Sequence, residues 1–138
     1  MQLWMGTEQR IADYMAEKLG TVVRPGFQWF GITDDDGREL GGAVFTGYNG
    51  QDVKLILAAD LGRHPKMARL IVPVLNYPFE EWDVSHITAE VDEGNAPCIR
   101  LVEWLGFKFA CRLRATSIRL YGLTKDDWAD RREQLFPS

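Results

Sequence analysis

Three side chains of this sequence could move a proton at neutral pH: Glu90, His64 and His86. Glu90 lies in the alternation Ile87, Thr88, Ala89, Glu90, Val91, so a strand would turn its carboxylate to the face opposite three apolar residues. A carboxylate held in that way can serve as a general base; the plainer role is that of a solvated strand glutamate. Histidine as a residue type has its intrinsic pKa near neutrality, so both histidines compete with it. By position, His64 belongs to a loop and His86 to the start of a strand. Arg63, Lys66 and Arg69 form a short basic cluster, the right sign for a phosphorylated ligand in a chain of net charge −4. Cys98 falls on a stripe with Leu101, Val102 and Leu105 and reads as a small buried hydrophobe, not a nucleophile. With Cys111 it makes two cysteines without CxxC spacing, so neither a disulfide framework nor a zinc site is expected, and no metal is called for.

These groups need elements to carry them. The length of 138 residues fits one domain, residues 1–138. Five Trp, four Tyr and seven Phe can fill a core without metal or disulfide staples. Ile11, Tyr14, Met15 and Leu19 recur at helical spacing, predicting a helix from Thr7 to Leu19 that Gly20 stops. Phe27 to Thr33 reads as a strand, Asp34 to Gly37 as an acidic hairpin turn, and Glu39 to Tyr48 as a second strand. Val53 to Ala59 is a third strand, apolar enough for the middle of a sheet. Pro65 to Trp82 is helical in pattern, but Pro73 and Pro78 each remove an amide donor, so a kink or an end near Asn76 is expected.

His86 to Val91 is a strand; Asn95 is placed to cap a helix that has Pro97 in its first turn and ends at Gly106. Phe107 to Leu113 and Ser117 to Leu123 form a last strand pair, and Thr124 with Asp127 starts a closing helix to about Leu135. Helices between strands, after a meander, imply an α/β (α+β) chain with a mixed sheet. The crossover from Val53–Ala59 to His86–Val91 makes those two strands parallel neighbours. The apolar run Leu55 to Ala59 is too short to cross a bilayer, and Met1 to Arg10 shows no signal-peptide pattern, so the expected setting is cytoplasmic. A pI near 5.2 argues against general nucleic-acid binding.

The stretch ITAEVDEGN from Ile87 to Asn95, followed by CIRLVEWLGF from Cys98 to Phe107, resembles the GNAT superfamily of N-acetyltransferases. In that family a strand ends shortly before an Asn, and the next helix closes on Leu-Gly-Phe, here Leu105, Gly106 and Phe107. The tail LYGLTKDDW from Leu120 to Trp128 is similar to members related to ribosomal-protein N-terminal acetyltransferases, and the likeness covers most of residues 27 to 128. It implies a mostly antiparallel mixed sheet flanked by helices, acetyl-CoA as co-substrate and an amine acceptor.

Site residues follow from the resemblance one by one. Glu90, five residues before Asn95, takes the place of a catalytic base. Backbone groups of Leu57, Ala58 and Ala59 would receive the pantetheine arm and thioester. Arg63, His64, Lys66, Met67, Ala68 and Arg69 occupy the phosphate-cradling loop and helix start, where unpaired amides favour an anion. Lys66 stands where glycine is usual and Pro65 lacks an amide, so this loop departs from the family pattern. Asn95 would touch the cofactor or simply cap its helix. The family's thiolate acid, a Tyr, is replaced by Val102; Tyr121 is the alternative phenol, with a core or edge role as the plainer reading.

The start of the chain is expected to be shortened, with one helix before the meander and the usual first strand vestigial or absent; a second subunit, as in a homodimer, could then complete the acceptor site. The rival expectation is a non-catalytic module of the same fold, favoured by Lys66 and Val102. A small-ligand binder of unrelated fold would require the Asn95-to-Phe107 match to be chance.

Overall fold

Alternating apolar residues build a seven-stranded sheet in the computed structural model, which describes residues 2–6, 14, 17, 28–33, 35–36, 39–59 and 65–137. The strands are β1 (Gln2–Gly6), β2 (Gln28–Thr33), β3 (Glu39–Thr46), β4 (Asp52–Ala59), β5 (His86–Asp92), β6 (Lys108–Arg112) and β7 (Ile118–Thr124). Their order in the sheet is β1-β2-β3-β4-β5-β7-β6. Among the described strands only β4 and β5 run parallel; each other neighbouring pair is antiparallel. The crossover that makes them parallel is α1 (Pro65–Glu81), followed after β5 by α2 (Ala96–Trp104) and after β7 by α3 (Lys125–Leu135). The mixed, mostly antiparallel sheet flanked by helices is the expected one.

One expectation is corrected. The first strand is neither vestigial nor absent: Gln2–Gly6 pairs with β2 from Gln2↔Thr33 to Gly6↔Trp29. Five residues ending in glycine are too short to show a period in sequence, and cross-strand pairing supplies what the pattern lacks. Of the two outcomes expected for α1, an end near Asn76 is not the one seen: the helix runs through both Pro73 and Pro78 to Glu81. Its apolar side, Ile71, Val74, Leu75 and Phe79, is buried against the sheet, and that burial outweighs the amides the prolines remove. Of the helix expected over Thr7 to Leu19, only Tyr14 and Glu17 lie among the described residues, and both are helical.

One side of the sheet carries the main core. Phe45, Val53, Leu55, Ile87, Ala89, Tyr121 and Leu123 pack there with α1, with Cys98 and Val102 of α2, and with Trp128 of α3. Trp82 adds an aromatic edge to this core, its ring 5.1 Å from Tyr77 and 5.8 Å from Phe45 in T-shaped contacts. Trp104 is exposed.

Leu105-Gly106-Phe107 ends α2 as a Schellman motif. The Phe107 amide donates to the Val102 carbonyl at 3.0 Å and the Gly106 amide to the Glu103 carbonyl at 3.1 Å. Gly106 has φ +100, and a Cβ there would lie 2.9 Å from Arg131 Cγ, so glycine is required twice over. At the far edge, β6 has all its side chains exposed, and its register against β7 shifts between Phe109 and Cys111. Among the described residues, no helix is long and apolar enough to cross a membrane.

Candidate active site

The parallel pair at the centre of the sheet does not stay together. Rungs run from Asp52↔His86 to Ile56↔Glu90 and stop there. β4 continues on its other side, pairing Leu57, Ala58 and Ala59 with Ala43, Gly42 and Gly41 of β3. β5 likewise continues on its other side, pairing Val91 with Arg119 and Asp92 with Ile118 of β7. The two strands therefore part after Ile56 and Glu90, each held by its outer neighbour. The groups of Leu57–Ala59 that face β5 lie beyond the end of the ladder, at the positions that the resemblance assigns to pantetheine contacts.

Glu90 stands on the last rung. Ile87, Ala89 and Val91 are buried in the core while His86, Thr88 and Glu90 face the other way, as the alternation predicts. Its carboxylate is half-buried and meets the Lys54 ammonium at 3.0 Å. Lys54 shares a rung with Thr88, one step along from Glu90 on the same face. Sequence reasoning missed this cation: the parallel register that brings Lys54 beside Glu90 is not written in either strand alone. On the next rung of that face, His86 Nδ1 lies 2.9 Å from Asp52 Oδ1, and the Thr88 hydroxyl lies 3.4 Å from the same oxygen. His86 is therefore tied to Asp52 at the far end of the paired segment, away from where the strands part.

Tyr121 is not brought to Glu90. It shares a rung with Ala89 and so points to the helix side of the sheet, 1% exposed. Its ring packs edge-on to Phe109 at 5.7 Å, and its hydroxyl reaches Glu103 at 3.5 Å. That is the core placement weighed against catalysis in the sequence. Val102, at the position of the family's acid, is fully buried in the same core.

Asn95 caps α2: its side-chain oxygen accepts from the Cys98 amide at 3.3 Å. The turn before it is held by Asp92, which accepts from the Gly94 amide at 2.8 Å and the Ser117 hydroxyl at 2.7 Å; these bonds hold its carboxyl below the ordinary value. Burial pushes the Cys98 thiol up to about 11, so it stays protonated and unreactive at neutral pH.

Arg63 and His64 lie outside the described residues. Lys66, Met67, Ala68 and Arg69 form the start of α1, whose first turn carries no acidic residue.

No family model and no curated protein matches the chain. Solved structures do. An N-acetyltransferase of Campylobacter jejuni, solved in complex with acetyl coenzyme A, is 17% identical with a TM-score of 0.57, the match covering 71% of this chain and 67% of that one. The ribosomal-protein-S5-alanine acetyltransferase of Vibrio fischeri is 16% identical with a TM-score of 0.58, over 73% of this chain and 63% of that one. A GNAT-family acetyltransferase of Bacillus anthracis is 15% identical with a TM-score of 0.64, over 91% of this chain and 96% of that one. At these identities the likeness is one of architecture. The parted parallel pair, the crossover helix and the Asn-capped helix closed by Leu-Gly-Phe together make this chain a protein of the GNAT N-acetyltransferase fold.

Proposed function

We propose that the chain is an acetyl-CoA-dependent N-acetyltransferase that acts on a primary amine of a small molecule or a protein. One observation carries the reading: the β4–β5 ladder ends at Ile56↔Glu90, so an unpaired stretch of backbone and a carboxylate meet at the mouth of one slot. An extended pantetheine arm is the ligand shape that such an unpaired strand edge accepts, because its amides can take the place of ladder partners. The co-substrate supplies an activated acetyl group as a thioester.

The chain's own groups would do the rest. Backbone of Leu57–Ala59 would hold the arm and steady the thioester oxygen. Arg63, His64 and the α1 start from Lys66 to Arg69 would meet the phosphates. Glu90 would take a proton from the acceptor ammonium, so that the free amine attacks. Departure of the thiolate needs no dedicated phenol in this scheme, since a thiolate is a tolerable leaving group and Val102 offers no proton. Asn95 shapes the end of the slot by fixing where α2 begins.

The test is thermal stabilisation by acetyl-CoA and by coenzyme A, followed by thiol release with a panel of amines. Ligand at tens of Kd shifts stability by roughly 2 kcal/mol. No shift at millimolar co-substrate would sink the reading and leave a non-catalytic module of this fold.

A further inference from the structure

The Lys54–Glu90 pair has a consequence if the slot takes a thioester. The base of an amine acetyltransferase must face an ammonium, and Glu90 already faces one, from the chain itself, at 3.0 Å. Lys54 reaches Glu90 from the adjacent rung, and Glu90 is the last residue of β5 paired to β4 before the strands part. Asp52, two residues before Lys54 on the same face, is bound instead by His86 and Thr88. The Lys54 side chain is about half exposed, so its stem is free to extend toward the slot.

We propose that Lys54 is an internal acceptor: the chain acetylates its own Lys54 Nζ in cis, and the product releases Glu90 for external amines. This rests on the acetyltransferase reading above. In the step, the Lys54 ammonium gives one proton to the Glu90 carboxylate. The neutral nitrogen attacks the thioester carbonyl carbon, a C–N bond forms and the C–S bond breaks. The second proton lost by the nitrogen goes to the departing thiolate. The products are N-acetyl-lysine, coenzyme A with a free thiol, and one proton passed from Glu90 to solvent. The acetylated side chain is neutral and no longer pairs with Glu90, so an incoming ammonium meets a free carboxylate.

The experiment incubates the purified full-length chain with acetyl-labelled acetyl-CoA and no added amine, and follows each lysine by peptide mass spectrometry. Lys108 and Lys125 are built-in comparators, because both are ion-paired to aspartates, at 3.4 Å and 3.2 Å, but lie away from the slot. The expected result is labelling of Lys54 at least about tenfold faster than of either comparator, since proximity removes the cost of encounter. The rate should be independent of protein concentration, and Glu90→Gln should bring it down to the comparator rate while acetyl-CoA still stabilises the protein. A chain allowed to label Lys54 fully should then turn over external amines faster than fresh chain. Equal labelling of all three lysines, or a Lys54 rate that rises with protein concentration, would overturn the proposal. An unlabelled Lys54 in a chain that binds acetyl-CoA and acetylates added amines would overturn it and leave the acetyltransferase reading standing. Absence of acetyl-CoA binding would remove both.

Discussion

The two edges of β5 make opposite use of one strand. Toward β7 the ladder is complete, from His86↔Thr124 to Asp92↔Ile118. Toward β4 it closes only as far as Glu90. The side chains of β5 are the same for both edges, so the difference lies in the neighbours. β7 follows β5 to its end, whereas β4 is carried away by its continued pairing with β3. A backbone group left without a ladder partner must find another, from water or from a ligand. The closed edge therefore serves stability, and the open edge is where the proposed co-substrate would take the place of a strand.

Substitutions on the two edges should separate those roles. The largest effect is expected at the open edge. Glu90→Gln should lower turnover of external amines by about a hundredfold or more, the contribution typical of a positioned general base, with little change in Tm. Equal loss of Tm would make Glu90 a structural residue and weaken the contrast. At the closed edge, Leu123→Ala removes a fully buried side chain on the rung of Ile87, and chemical denaturation should show a loss of about 2–5 kcal/mol. Gly106→Ala sits where α2 turns back beneath the closed edge. The positive φ and the Arg131 stem should together cost about 1–3 kcal/mol, read in the same way. The smallest effect belongs to Asn95→Ala, about 1 kcal/mol for a lost cap. If acetyl-CoA affinity is unchanged after allowance for stability, Asn95 is a cap alone; a separate loss of affinity would give it a second role as a cofactor contact.

Much of this arrangement could be read in the chain before folding. The alternation about Glu90, the apolar run of β4 and the Asn95-to-Phe107 helix with its closing triplet each carry their period locally, and each element is where it was expected. Three features were not legible. β1 is too short to show a period and depends on β2 for its existence. Pro73 and Pro78 argue locally for a break, and only the sheet beneath α1 overrides them. The pairing of Lys54 with Glu90 depends on the register between strands separated by a whole helix, and no spacing in sequence records it. The rungs were hidden for the same reason: a strand shows which residues share a face but not which residues of its neighbour stand beside them.

The register shift in β6 also shapes how the molecule meets copies of itself. β6 is the last strand on its side, and an outermost strand is a template for stray pairing. Here the step between Phe109 and Cys111 puts the outward-facing donors and acceptors out of phase, and Lys108 and Arg112 add like charge at the two ends. A foreign strand laid along it would find neither a matching rhythm nor a neutral border, so growth of the sheet by lateral stacking is discouraged at its own rim.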